Sequence, residues 1–298
     1  MTQAGFWRNY QPNNNQLILG NYKGVANQVH YLFPDGNGPG SAFTTFADLS
    51  PHLRSRDVIV LGGVLREQAI APLGVFDVLL IGAANKPRQA TANDVPTGGG
   101  ACWLPPVSGA VSGQANLELR EQGWMVSNIL FNSTTSAAGI KLTRAETATY
   151  PDPSYATISG CKFSGVDGIV DSGGSSHNLI EDNIFQSLTG TGIKSIAGAA
   201  IADCLSSIVR NNFFNQNANN IVSAATHWLI DGNRMIHTTT QKVKLSGSPG
   251  GYNYVINNGF EDVEADIDIS HGYTGISTDV WRNYSKDVAA QTVGYATT

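Results

Sequence analysis

Among the 298 residues of this sequence, Glu181, Arg210 and Asp231 come nearest to a set that could do chemistry. Each follows an aliphatic residue (Ile180, Val209 or Ile230) that opens a recurring motif. If each motif is one coil of a stacked structure, equivalent positions recur about every 4.8 Å. Glu181 and Asp231 then stand about 10 Å apart, two coils removed, with the Arg210 guanidinium between them. Glycosidases need two carboxyls about 5–5.5 Å or 6.5–9.5 Å apart. At about 10 Å this stripe lies outside both ranges, and it is the candidate catalytic set only because no other acids fall in register. Stacked opposite charges also form surface ion ladders that contribute a few tenths of a kcal/mol per pair. The ladder is the preferred interpretation.

Other titratable residues make weaker patterns. Asp167 and Asp171 flank Ile169, and Glu261, Asp262, Glu264, Asp266 and Asp268 crowd a late stretch. That stretch could hold a cation, but Asp266-Ile-Asp-Ile-Ser alternates as an outward polar strand face does. The six histidines, at 30, 52, 177, 227, 237 and 271, are scattered. No Ser/His/Asp spacing, phosphate loop or HExxH motif occurs. The expectation is a chain without a catalytic set, a metal or a cofactor.

What must position these residues is the motif itself. Its lead residues are Val126, Ile158, Ile180, Val209, Ile230, Ile256 and Val280, spaced 32, 22, 29, 21, 26 and 24 apart. Asn183, Asn212, Asn233 and Asn283 fall three residues after a lead, and Phe131, Phe163, Phe185, Phe214 and Met235 five after. A third apolar series runs Ile140, Ile169, Ile193, Ile221 and Val243. Short β-branched and aromatic runs separated by Asn, Asp and Gly are strand and corner chemistry. A repeat in the twenties marks a solenoid. The spacing predicts an all-β parallel β-helix in which Ile180, Val209, Ile230 and Ile256 point inward. Asn183, Asn212, Asn233 and Asn283 would form an internal hydrogen-bonded ladder. A β-sandwich is the alternative, but it needs hairpin signals every 8–12 residues.

The chain divides into an N-terminal arm (1–34), the solenoid (35–284) and a C-terminal extension (285–298). Phe46, Leu49 and Leu53 fall at helical spacing, as a short helix covering the open end of a solenoid would require. Phe6, Trp7, Tyr10, Tyr22, Tyr31 and Phe33 crowd the arm. So many aromatics argue for packing against another surface. Residues 84–115, rich in Pro and Gly, read as a long loop leaving the coils. The Gly/Asp cluster at 35–40 has too few carboxylates for a calcium loop and reads as a turn.

The run Ser41-Ala-Phe-x-x-Phe46, the amphipathic turn after it, and Asp57-Val-Ile-Val-Leu-Gly-Gly63 resemble the N-terminal entry of right-handed parallel β-helix proteins. These are the pectate-lyase-like superfamily and bacteriophage tailspikes. Asn116–Phe131 is similar to a coil of phage virion β-helix proteins. The resemblance covers about residues 35–284. It implies a bacteriophage virion structural protein, capsid-decorating or tailspike-like, assembled in the host cytoplasm as a homotrimer against capsid or tail proteins. The alternatives it implies are a tailspike depolymerase, glycosidase or lyase, and a carbohydrate-binding module. Host surface polysaccharide would be the partner of either.

Composition agrees with that frame. Only 14% of residues are charged and 33 are glycine, which suits tight corners more than amphipathic helices. A net charge of −5 and the lack of basic runs argue against nucleic acid. No apolar run reaches membrane-span length, and the N-terminus lacks the pattern of a signal peptide. Cys102, Cys161 and Cys204 have no metal-ligand spacing and cannot pair completely, which fits a reducing compartment.

Overall fold

The computed structural model of the chain describes residues 28–36, 38–40, 42–83, 100–144, 153–196, 206–245, 252–261, 267–268, 277–281 and 284–285. Short strands follow one another around a closed path, and each interior strand pairs in parallel with its equivalents one coil earlier and one coil later. Three parallel sheets result, of 10, 9 and 8 strands among the described residues. A typical coil runs Leu179–Glu181 in the first sheet, Ile184–Leu188 in the second and Thr191–Ser195 in the third. The next begins at Ile208–Arg210, the one after at Leu229–Asp231.

The sequence repeat is the structural register. Val126, Ile158, Ile180, Val209 and Ile230 are successive partners in the first sheet. Phe131, Phe163, Phe185, Phe214, Met235 and Phe260 are partners in the second. Ile140, Ile169, Ile193, Ile221 and Val243 are partners in the third. All of these side chains lie inside, at most 3% exposed. The exception to the expected register is Ile256. Val255 pairs with Ile230 and is buried, while Ile256 sits opposite Asp231. Side chains alternate along a strand, so a one-residue shift moves Ile256 to the outer face.

The segment 84–115, read as a loop leaving the coils, contains a buried strand of the second sheet, Cys102–Leu104. Its Trp103 stacks with the rings of that sheet along the axis, while Phe46 packs tilted against it. Centroid separations run 5.6 Å for Phe46–Trp103, 6.0 Å for Trp103–Phe131 and 5.4 Å for Phe131–Phe163. They shorten to 4.9 Å for Phe163–Phe185 and 4.7 Å for Phe185–Phe214. Gly168 and Gly192 lie against this stack because a Cβ there would come within 2.7 Å of Phe185 and 2.8 Å of Phe214. Phe46 belongs to a four-residue helix, Phe46–Leu49, capped by the Thr45 side chain and followed by a 3-10 turn, Ser50–His52. Phe46, Leu49 and Leu53 are buried in the same core. The helix thus closes the N-terminal end of the ring stack.

Val29–Leu32 lies within the segment read as an arm, yet it pairs in parallel with Val58–Leu61 as the first strand of the first sheet. Residues 1–27 and 286–298 lie outside the described residues.

Candidate functional site

The corner between the first and second sheets is built from two adjacent positions. The first of them adopts positive φ in successive coils: Asp182 (56°), Asn211 (56°), Gly232 (65°) and Asn257 (56°). Asp, Asn and Gly are the residues that tolerate this conformation. The second position turns inward and carries Asn183, Asn212, Asn233 and Asn258, each at most 1% exposed. Asn212 Oδ1 accepts from the Asn183 backbone N–H (3.0 Å) and from its Nδ2 (3.1 Å). Asn212 Nδ2 donates to Ile180 O (2.9 Å) and to Asn233 Oδ1 (3.0 Å). Asn233 repeats the pattern with Val209 O and Asn258 Oδ1. Asn258 takes the next rung because the coil opens at Val255 rather than Ile256; Asn283 lies outside the described residues.

At the head of this column stands Cys161, whose backbone N–H donates to Asn183 Oδ1 (2.9 Å). Its thiol contacts Ser159 O (3.5 Å) and Val126 O (3.8 Å), and burial pushes it up to about 12. A thiol held neutral and enclosed in this way is packing material, not a nucleophile. Cys102 is likewise buried and pushed up to about 12, with Arg66 offsetting part of the effect. Cys204 lies outside the described residues.

Glu181, Arg210 and Asp231 are in register on the outer face of the first sheet. Arg210 Nη2 lies 2.7 Å and its Nε 2.8 Å from Glu181 Oε2. Asp231 Oδ1 instead accepts from Asn257 Nδ2 at 2.8 Å. Thus Glu181 is neutralised by its neighbour, and the two carboxylates are separated by a bound guanidinium. A second outward pair, Arg234–Glu261 at 2.6 Å, repeats the device on the second sheet, with Arg234 over the Phe213 ring at 5.7 Å.

Three further acids, outside the Glu181/Arg210/Asp231 stripe, have raised pKa values. Burial raises Glu67, while hydrogen bonds from the Phe46 and Ala47 backbone partly offset it. Burial raises Asp77, partly offset by Arg56. Burial raises Glu121, partly offset by the Gly74 N–H at 2.8 Å. Glu121 is fully enclosed, so it cannot meet a polymeric substrate. Their shifts arise from tertiary enclosure, which no local sequence signal encodes. Asp167 caps the Thr191 N–H, and Asp171 accepts from Ser175 Oγ (2.7 Å). Both are structural. Among the described residues no three His, Cys, Asp or Glu side chains gather as a metal site needs.

Of the aromatics assigned to an interface, Tyr31 and Phe33 are described. They pack with Val58, Val60, Leu79 and Ile81 in a second apolar cluster on the outer face of the first sheet. Phe6, Trp7, Tyr10 and Tyr22 lie outside the described residues. On the outer face of the third sheet the register places Glu118, which is paired with Arg120, then Lys141, Val170, Lys194, Val222 and Lys244 in one row. Lysines therefore recur every second coil, about 10 Å apart.

Three parallel sheets wound from short coils, with a corner asparagine ladder, define a right-handed parallel β-helix. Several solved structures align over most of the chain. Pectate lyase Pel9A covers 92% of this chain and 82% of its own length at 10% identity, with a TM-score of 0.50. An alginate lyase from Paenibacillus sp. str. FPU-7 covers 88% and 100% at 11% identity, with a TM-score of 0.48. The tailspike of E. coli bacteriophage HK620, solved with a pentasaccharide, covers 93% and 64% at 12% identity, with a TM-score of 0.37. At such identities the likeness concerns the fold alone. No family model matches the sequence, and no curated protein matches it.

Proposed function

We propose that the chain is a non-catalytic structural protein of a bacteriophage particle, a capsid-decorating or tailspike-like rod that associates with itself as a homotrimer. The observation that carries this reading is the state of the Glu181/Arg210/Asp231 stripe. Its guanidinium is bound to one acid and separates it from the other, whose oxygen is held by Asn257. That is how a sheet face is stabilised, whereas hydrolysis needs two carboxyls facing a sugar. A stacked-coil rod with a continuous core and a helix over its N-terminal end also suits a particle exterior. Residues 1–27, with their aromatic anchors, are the attachment segment in this reading. The test is to quantify the chain in purified particles by mass spectrometry and to locate it by electron microscopy. A stoichiometric copy number on the exterior is expected, and particles lacking the chain would refute the assignment.

The row of Lys141, Lys194 and Lys244 favours a second reading, in which the third sheet binds an acidic polysaccharide without cleaving it. Neither Lys141 nor Lys194 has a carboxylate within ion-pair reach among the described residues. Charges about 10 Å apart along a straight face suit an extended polyanion. Titration with oligogalacturonate tests this reading. It requires salt-sensitive binding that the Lys141→Gln, Lys194→Gln double variant loses, with no release of product.

A further inference from the structure

A cleft of about 320 Å³ opens on the outer face of the second sheet, between Arg66, Leu104, Val107, Leu130, Asn132 and Thr134. That is about twice the volume of an engineered cavity able to hold one benzene ring. Its floor is apolar, because Cys102, Leu104 and Leu130 form a buried cluster with Val64 on that face. Arg66 is exposed at one side and has no carboxylate within ion-pair reach among the described residues. In a chain of net charge −5, an unpaired guanidinium over an apolar floor is complementary to an anion with an apolar body.

The adjoining wall is a loop that is held in place. Gln68 Nε2 donates to Val111 O (3.1 Å), Gln114 O (3.1 Å) and Ser136 Oγ (3.2 Å). Gln68 Oε1 accepts from Val111 N–H (2.7 Å). The loop is thus pinned at Val111 and Gln114. It presents Val111 at 52% exposure and Val107 at 85%, with Pro105 and Pro106 lining the cleft beside Val107. Apolar side chains fixed toward solvent lose little further freedom when a partner covers them.

We propose that this cleft and the Val107–Val111 edge form a docking site for a peptide segment of another protein that bears a carboxylate beside an apolar side chain. Arg66 takes the carboxylate in a bidentate contact, and the neighbouring apolar side chain fills the floor over Leu104 and Leu130. The proposal stands apart from any assignment of the chain to a particle.

The experiment uses the full chain with labelled Leu and Val methyls, titrated with the blocked peptide acetyl-Leu-Asp-Leu-Asp-amide. Its counterpart with lysine in place of aspartate is the control. Saturable shifts at the Leu104, Val107 and Leu130 methyls are expected with the acidic peptide only. Arg66→Gln should weaken binding about tenfold with the melting temperature unchanged. Four results would each overturn the proposal: equal shifts with the lysine peptide, an unchanged affinity in Arg66→Gln, the same shifts from digalacturonate with the peptide silent, or shifts that appear on concentrating the protein alone.

Discussion

A single oxygen, Asn212 Oδ1, accepts both the backbone N–H and the side-chain amide of Asn183, so one acceptor ties two coils together twice. Both asparagines are at most 1% exposed, and water cannot replace either bond. Asn212→Ala therefore strands donors on Asn183 and an acceptor on Ile180. We expect a loss of about 1–3 kcal/mol in urea unfolding. A change under about 0.5 kcal/mol would mean that the ladder carries no stability of its own.

Val255 and Ile256 provide a sharper test, because they are adjacent, similarly apolar and on opposite faces. Val255→Asp buries a carboxylate with no partner and should prevent soluble folding. Ile256→Asp faces outward and should fold. Ile180→Asp should fail as Val255→Asp does. Solubility and circular dichroism read all three, and a soluble Val255→Asp protein would disprove the register.

The Glu181–Arg210 pair is half open to solvent, with Arg210 45% and Glu181 21% exposed. Arg210→Gln should shift stability by no more than about 1 kcal/mol, and added salt should erase the difference. A loss of several kcal/mol in thermal melts would contradict this account of the stripe.

Glu67 gives a pH dependence with a definite sign. Its folded pKa is raised above the ordinary 4.5, chiefly by burial, so the native state holds this proton more tightly than the unfolded chain does. The stability it contributes is complete below 4.5 and is lost as pH rises through the higher folded value. Glu67→Gln keeps an oxygen for the Phe46 N–H, now 2.9 Å away, but cannot ionise. The melting temperature of the parent relative to this variant should therefore fall from pH 4 to pH 7. A constant or rising difference would exclude the mechanism.

Gly168 faces the ring of Phe185, and an added methyl would also approach Gly192 O to 2.5 Å. Gly168→Ala should lower stability by about 1–3 kcal/mol through overpacking. Gly40→Ala, where a Cβ meets nothing within 4 Å, is the matched control.

Much of the fold was legible because the inward columns repeat the same residue types. Ile180, Val209 and Ile230 stack on one another, as do the phenylalanines five positions later. The late coil misled because Val255 and Ile256 offer two apolar residues in a row, and only Asn258, three after Val255, fixes the phase. A short strand in the arm was expected, but the place of Val29–Leu32 in the first sheet was hidden for another reason. It has no repeat partner upstream among the described residues, and its ties to the first coil are tertiary: the pairing with Val58–Leu61 and a buried 2.9 Å contact between His30 and Asp57. The functional features were the least legible. The Gln68 clamp spans up to 68 residues of sequence, and the raised acids owe their shifts to enclosure by distant segments.

The asparagine column has a mechanical consequence. Each amide grips the coil before it and the coil after it, so a pull along the axis is shared between rungs instead of concentrating at one. An interior coil can leave only after both neighbours release it. Unravelling must then begin at an end and advance turn by turn, like a spring unwound from its tip. A protease working under mild denaturation should shorten the rod from its termini and leave the middle turns for last.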